Sequence, residues 1–188
     1  MPQLAVVSLV SCAPYSQARN YDQEVERLPR ETPDAYEART WRHKCHTMAD
    51  GRIFIQPMAF KMGLDSAAKM LGRQIPGKGK STYSKFFLSG VLVMDPVVLP
   101  VKASEVPMDR LYVNSDGIRG SGRRVWKNFP RIDAWAADVP YHVLADEITR
   151  DVFEEHVRQA GAFIGIGRFR PQSGGFYGRY EVKEVRWR

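Results

Sequence analysis

The sequence predicts an α+β fold, with a ferredoxin-like, or RRM-like, antiparallel sheet that carries two helices on one face. Short apolar runs typical of strands recur along the chain, and two segments show the apolar spacing of helices. They alternate as strand, helix, strands, helix, strand, an order compatible with a split βαβ sandwich. A chain of 188 residues that is 44% hydrophobic is large enough for one domain, which we predict to span residues 1–188.

The N-terminal quarter is predicted to combine a buried strand with a polar insertion. Residues 4–10 are rich in Val and Leu, as buried strands are. Residues 13–40 contain three prolines and mix acids with bases, which indicates an insertion or arm, partly loop, with room for a short helix. Residues 40–46 are predicted to form an edge strand, with a turn over 48–51 and a returning strand over 53–55.

Two helices are predicted by their boundary residues and their apolar spacing. Pro57 suits a first helical turn, and apolar residues at spacings of three and four continue to residue 71. Gly72 can end this helix. Thr149 can cap a second helix from about 150 to 160, which Gly161 would end.

The remaining strands are predicted in the second half of the chain. Pro130 and Pro140 favour edge positions or strand ends. The predicted strands are one or two within 86–100, broken at Asp95-Pro96, and then 111–113, 129–132, 139–144, 163–166 and 178–187.

Charge and composition favour a polyanionic partner. The formal net charge is +7 and the isoelectric point is about 9.5. No apolar run approaches the length of a bilayer span, so we expect no membrane association. Two cysteines are too few for a disulfide framework, and we expect a cytoplasmic location.

Three segments combine glycines with basic residues and point to a nucleic-acid backbone. They are residues 73–85, 115–127 and 165–180, and the first and third contain no acid. Glycine allows close backbone approach, arginine suits phosphate, and aromatic rings stack on bases. Each segment could instead be a tight turn with solvated charges. The contacts predicted from these segments are Lys78, Lys80, Lys85, Arg123, Arg124, Lys127, Phe176, Tyr177 and Arg179.

Catalytic and metal-binding patterns are weak in this sequence. Residues 77–82 are superficially similar to a phosphate-binding P-loop, but the leading glycine is misplaced and a helix precedes the loop. His43, Cys45 and His46 are close in sequence, yet no second ligand pair completes a zinc site, so we predict no metal or cofactor. A metal-independent ribonuclease could use His43 or His46, and Cys45 could be a nucleophile.

Three places in the chain resemble the RAMP superfamily, the ferredoxin-like RNA-binding proteins of CRISPR effector complexes. Residues 165–178 are similar to its C-terminal glycine-rich loop: glycine, apolar residue, glycine, a basic stretch, then glycine again. Residues 55–69 are similar to the start of the first helix in CRISPR backbone subunits, and residues 115–124 to their glycine-arginine loops. The polar insertion at 13–40 has no clear counterpart.

The resemblance implies single-stranded RNA or DNA as ligand, self-association, and contact with a CRISPR effector complex. The chain also looks like small phage and prophage proteins, which implies a stand-alone, phage-encoded relative in a bacterial host. The nucleic-acid contacts carried over are Lys61, Lys69, Arg119, Arg123, Arg168 and Arg170.

Three functions follow as hypotheses. The first is a non-catalytic protein that holds single-stranded RNA, or single-stranded DNA, by backbone contacts and stacking. The second is a phage protein that mimics a CRISPR backbone subunit and acts as an anti-CRISPR. The third is a metal-independent RAMP-type ribonuclease.

Overall fold

The computed structural model describes residues 2–21, 24–115, 120 and 122–188. In this part of the chain the helices are α1 (Pro33–Thr40), α2 (Pro57–Leu71), α3 (Ser84–Gly90) and α4 (Arg150–Gln159). The strands are β1 (Gln3–Ser11), β2 (Arg52–Ile55), β3 (Val91–Leu92), β4 (Val97–Lys102), β5 (Met108–Asn114), β6 (Arg124–Pro130), β7 (Ala136–Val143) and β8 (Tyr180–Trp187).

A four-stranded sheet in the order β3-β7-β1-β8 forms the centre, and each neighbouring pair is antiparallel. Ala5, Val7 and Leu9 alternate along β1 and are buried on one face. The intervening Ser8 points to the other face, where its hydroxyl donates to the Asp138 carboxylate at 2.6 Å. The predicted α+β class and antiparallel sheet are confirmed.

Two helices cover the buried face of this sheet. Phe60 of α2 contacts the ring of Tyr180, with centroids 6.3 Å apart. Phe153 of α4 contacts Tyr141 at 5.4 Å. Tyr180 and Tyr141 lie opposite Ser11 and Ala5 in the register, and these two residues of β1 point to the same face.

The predicted boundaries of both helices agree with the structure at three positions. Pro57 begins α2, and Gly72 ends it in a left-handed conformation with φ 55°. The Thr149 hydroxyl caps α4 by accepting from the Val152 amide at 3.4 Å. No helix in the described ranges has the length and hydrophobicity of a membrane span.

Two other sheets have two strands each. One pairs β2 with β4, and the other is the β5–β6 hairpin, in which Tyr112 lies opposite Trp126. Pro130 ends β6, as predicted. Pro140 lies inside β7, but β3 pairs only with His142 and Val143, so at Pro140 the sheet continues on the β1 side alone.

Two predicted strands are helical turns instead. The predicted edge strand over 40–46 is wrong, because a 3₁₀ turn over Trp41–Lys44 continues α1. The Thr40 hydroxyl donates to the Tyr36 carbonyl at 2.7 Å, and the Cys45 amide closes the turn on the Arg42 carbonyl at 3.0 Å. The start of the predicted 86–100 strand is α3, which buries Phe87.

The end of α4 also differs from the prediction. The helix continues through a π turn over Ala160–Ile164, so the strand predicted over 163–166 is absent there. Gly161 lies so close to Tyr180 that a Cβ would be 2.2 Å from the Tyr180 carbonyl oxygen. This glycine therefore allows the helix to approach β8 instead of ending the helix.

Candidate nucleic-acid interface

Two of the three basic segments meet in one groove. Arg124 at the start of β6 and Arg168 and Arg170 of the glycine-rich loop line a groove of about 530 Å³, here called the arginine groove. The glycine-rich loop also borders a cleft of about 230 Å³ against the start of α2, here called the histidine cleft because His46 lines it. Arg168 and Arg170 line both.

Backbone contacts fix the glycine-rich loop on residues 14–16. The Arg168 amide donates to the Ser16 carbonyl at 2.9 Å, and the Gly178 amide donates to the Pro14 carbonyl at 2.7 Å. Gly167 has φ 73°, and a Cβ there would lie 2.3 Å from the Ser16 carbonyl oxygen. The glycine therefore serves close packing, which places the arginine side chain that follows it.

Arg168 has hydrogen-bonding capacity left over. Its guanidinium carbon lies 3.9 Å from the Phe129 ring centroid and 5.0 Å from that of Phe169. Burial lowers the pKa of Arg168, and the Glu37 carboxylate partly offsets this. Its buried Nε donates to no described residue. A partly dehydrated cation with an unused donor can bind an anion strongly.

The other arginines of the groove are also open to an anion. Arg124 is exposed and lies 5.9 Å from the Tyr112 ring centroid. Arg170 donates from Nε to the Gln172 side chain at 3.2 Å. Neither residue, nor Arg168, forms an ion pair with a described carboxylate. Among the described residues, no carboxylate lines the groove beside these three arginines.

The polar insertion is anchored beside this groove. The Lys44 ammonium donates to the Asn128 carbonyl at 2.7 Å and pairs with Glu37, whose carboxylate accepts from the Asn128 amide at 2.7 Å. Burial lowers the pKa of Lys44, although its bond to Glu37 opposes the shift. The Lys44 ammonium also lies 4.5 Å from the centroid of Phe129, the ring that supports Arg168.

Polar side chains line part of the histidine cleft. The Nε2 of Gln17 is buried and forms no hydrogen bond within the described residues, whereas the Oε1 of Gln17 accepts from the Tyr15 hydroxyl at 3.2 Å. The His46 Nδ1 lies 3.3 Å from the Gln56 side-chain nitrogen. Burial, and to a smaller degree the charge of Arg19, lowers the pKa of His46 and favours the neutral imidazole.

The other residues considered for chemistry lie in unfavourable places. His43 is exposed, and its ring lies 5.7 Å from that of Tyr21. Cys45 is buried, and this burial raises its pKa to about 12, so the thiol is protonated and a poor nucleophile at neutral pH. Among the described residues no His, Cys, Asp and Glu side chains cluster in a metal-binding group.

The first basic loop, over residues 73–85, lies away from the groove. The Lys78 ammonium pairs with Glu147 at 2.9 Å, and Arg73 pairs with Glu155. This loop follows the C-terminal end of α2 at Leu71, whereas the histidine cleft is lined by the N-terminal half of that helix as far as Gly63, so about 12 Å of helix lies between them. The structure therefore brings the basic segments 115–127 and 165–180 together, and it separates the basic segment 73–85 from them.

Lys61 is 6% exposed, and its ammonium has its partners inside the protein. Its ammonium pairs with Asp65 and donates to the carbonyls of Phe87 and Leu88, both at 3.1 Å. The residue ties α2 to α3, and we therefore leave it out of the candidate contacts. Lys69, a second predicted contact on α2, is exposed in the last turn of that helix.

The other predicted contacts differ in exposure. Tyr177 is 9% exposed and its hydroxyl donates to Asp109, whereas Phe176 is 60% exposed. The Lys127 ammonium donates to the Ser115 carbonyl at 3.1 Å. Arg119 lies outside the described residues. The exposed members are Lys80, Lys85 and Arg123, and Arg179 is half-buried.

Comparison with solved structures places this geometry in a known fold. The chain shares its fold with Cmr6. The crystal structure of Cmr6 from Pyrococcus furiosus matches with a TM-score of 0.50 and 13% sequence identity, over 97% of this chain and 99% of that chain. At this identity the likeness shows a shared fold, which agrees with the predicted α+β class.

A second solved structure also matches this chain. This structure, the type III-B Cmr-beta complex bound to cognate target RNA, matches with a TM-score of 0.49 and 10% identity over 99% of this chain. This chain spans 60% of the length of that one. No protein-family model and no curated protein matches the sequence.

One surface was missed by the sequence reasoning. Tyr112 and Trp126 face each other across the β5–β6 hairpin, with Arg110 and Arg124 beside their rings. Short runs of β-branched and aromatic residues, Leu111-Tyr-Val113 and Val125-Trp126, flank the glycines around position 120, as in two paired strands. These runs were the available signal, but the strand predicted over 129–132 began too late to pair the two rings.

Proposed function

We propose that this protein is a non-catalytic nucleic-acid-binding protein that holds single-stranded RNA in the arginine groove, in a CRISPR-related role. One observation carries the proposal: Arg124, Arg168 and Arg170, from distant parts of the sequence, line one groove without a described carboxylate as partner. Phosphate groups are the natural counter-charge for such a groove.

A RAMP-like arrangement of the sheet supports this proposal. We infer that β1, α2, β3, β7, α4 and β8 form a ferredoxin-like unit. The element order and the strand order β3-β7-β1-β8 are those of a split βαβ sandwich. The start of α2 and the glycine-rich loop then lie side by side at the histidine cleft, so a bound strand can pass from one to the other.

A salt titration tests the proposal. Three arginines (124, 168 and 170) that contact phosphates should make the logarithm of the affinity for a single-stranded oligonucleotide fall against the logarithm of salt with a slope of about −2. Affinity that is unchanged between low and moderate salt would overturn the proposal. A parallel titration with DNA of the same sequence tests the choice of RNA.

Charge-reversal variants test whether the arginine groove is the surface that binds nucleic acid. The double variant Arg123→Glu/Arg124→Glu should abolish binding and keep the wild-type circular dichroism spectrum, because both side chains are exposed. The matched control is Lys80→Glu/Lys85→Glu, which makes the same change in net charge at the distant first loop. Equal loss of binding in the two variants would show that net charge, and not the groove, determines affinity.

Self-association and a CRISPR effector partner are further parts of the proposal, since the resemblance implies both. Purified protein should carry nucleic acid, which the absorbance ratio reports, and its elution volume should increase after nuclease treatment if copies assemble along a strand. A pull-down against a host effector complex that remains after nuclease treatment would instead favour the anti-CRISPR hypothesis.

A second candidate, metal-independent RNA cleavage, is favoured by the position of His46. Its imidazole lines the same cleft as Arg168, and its lowered pKa keeps it neutral and able to accept a proton. Labelled RNA incubated with saturating protein and a metal chelator should be cleaved by wild type but not by His46→Ala. Intact RNA after long incubation removes this candidate.

A further inference from the structure

An exposed aromatic pair on the β5–β6 hairpin has no role in the fold core. Tyr112 and Trp126 lie directly opposite each other in the strand register, with ring centroids 5.2 Å apart and planes at 43°. Tyr112 is 51% exposed and Trp126 is 49% exposed. By contrast, Trp41 and Trp135 are almost completely buried. Half of each ring surface on the hairpin therefore remains in contact with solvent.

Two arginines lie beside the pair. The Arg110 guanidinium carbon is 5.2 Å from the Trp126 ring centroid, and that of Arg124 is 5.9 Å from the Tyr112 centroid. Arg110 is only loosely paired, at 3.8 Å, with the Asp34 carboxylate. Aromatic rings next to cations are the combination that receives a base together with its phosphate.

The pair continues the arginine groove. Tyr112 and Arg124 line that groove and also a larger cleft of about 960 Å³ between α1 and the hairpin, which Trp126 lines as well. A strand whose phosphates contact Arg168 and Arg170 would pass Arg124 and reach the two rings. Charge complementarity and this continuity both favour a nucleic acid as the occupant.

We propose that Tyr112 and Trp126 form a base-stacking platform for single-stranded nucleic acid. This inference rests on the proposed function and deepens it, because stacking adds affinity that depends on the presence of bases but tolerates any sequence. The competing explanation is a cross-strand pair that only stabilises the hairpin. That explanation predicts that the affinity of the protein for the oligonucleotide does not change when the bases are removed.

The test compares two oligonucleotides of about 12 residues, oligouridylate and the same sugar–phosphate chain with abasic positions. Wild type should bind oligouridylate about tenfold more tightly than the abasic strand in fluorescence anisotropy. Trp126→Ala should bind both strands with the affinity that wild type has for the abasic one. Trp126→Phe retains an aromatic face and should keep most of the difference.

Phe163→Ala is the matched control, since Phe163 is 55% exposed on the π turn after α4. It should leave both affinities unchanged. Equal binding of the two strands by wild type would overturn the stacking platform, but not the proposed binding of phosphates in the arginine groove. Failure to bind either strand would overturn the proposed function, and the platform with it.

Two other outcomes would also overturn the platform. If Trp126→Ala weakens binding to both strands by the same factor, the pair only stabilises the hairpin. If the same variant changes the elution volume of nuclease-treated protein and leaves RNA binding intact, the pair is an interface between copies of this chain.

Discussion

The guanidinium carbon of Arg168 lies 3.9 Å from the centroid of the Phe129 ring. This contact joins the glycine-rich loop to β6, so the two basic segments of the groove share one support. Phe129 is 2% exposed, and the Lys44 ammonium lies 4.5 Å from the same ring. One buried ring therefore orders a cation of the groove and the anchor of the polar insertion.

Removing this ring should affect both stability and binding. Phe129→Ala should lower the free energy of unfolding by about 3–5 kcal/mol in urea titrations, as loss of a buried phenylalanine does. Phe129→Leu should be less destabilising but should weaken RNA binding about threefold, because Arg168 loses its cation–π contact. Unchanged affinity in Phe129→Leu would show that the ring does not order the arginine. Phe163→Ala, at an exposed site, is the stability control.

Gly167→Ala should destabilise the protein by more than about 1 kcal/mol. The residue has φ 73°, and its new Cβ would lie 2.3 Å from the Ser16 carbonyl oxygen. Gly79→Ala is a matched control, because Gly79 also has positive φ, 58°, but no atom lies within 4 Å of the Cβ position. Chemical denaturation should show the larger loss at Gly167. Equal losses would mean that backbone strain alone, and not the contact with residue 16, fixes the loop.

The Glu31 carboxylate should titrate far below its ordinary range. Its side-chain hydrogen bond with Arg39 is the main cause that lowers its pKa to about 2. Because the pKa of Glu31 is lower in the folded state than in the unfolded state, its carboxylate stabilises the fold above about pH 4.5. This stabilisation is lost as the pH falls through about 2. In carboxyl-carbon NMR titrations, Arg39→Gln should raise the pKa of Glu31 towards 4.5.

Arg27→Gln is the control for this titration, because the charge of Arg27 is the smallest contribution to the Glu31 shift. It should raise the pKa of Glu31 much less than Arg39→Gln does. A Glu31 that titrates at its ordinary value in wild type would contradict the hydrogen bond between Arg39 and Glu31.

The two cysteines should differ in reactivity. Cys12 is exposed, whereas Cys45 is 2% exposed and burial raises its pKa to about 12. Iodoacetamide at pH 8 should therefore add one label to the native protein and two labels in denaturant, as read by mass spectrometry. Native Cys12→Ser should remain unlabelled. Rapid labelling of Cys45 in the native state would restore the nucleophile hypothesis.

Local signals account for the elements that the sequence predicted well. The content of Val and Leu over residues 4–10 placed β1, the Pro57 and Gly72 boundaries placed α2, and Thr149 placed the start of α4. Each of these features determines the backbone conformation of residues that are only a few positions away in the sequence. Residues 41–44 and 86–90 lie within predicted strands, and their helical turns depend on hydrogen bonds and burial that short apolar runs do not reveal.

The site depends on contacts between distant segments. Lys61 resembles a ligand-binding lysine in the sequence, yet its ammonium is buried, where it pairs with Asp65 and donates to the carbonyls of residues 87 and 88. Tyr112 and Trp126 become a pair only through the strand register of the hairpin. Because the first basic loop follows the C-terminal end of α2 and the histidine cleft lies against the N-terminal half of that helix, similar composition did not mean a shared location.

By itself, the sequence determined the α+β class, the main helix boundaries and the positive charge, since these follow from composition and local periodicity. The tertiary structure decided which cations act together, because chain entropy and packing, and not sequence distance, set where separated segments meet. Arg124 and Arg168 are 44 positions apart by their numbers and line one groove, whereas Lys78 is held elsewhere by Glu147.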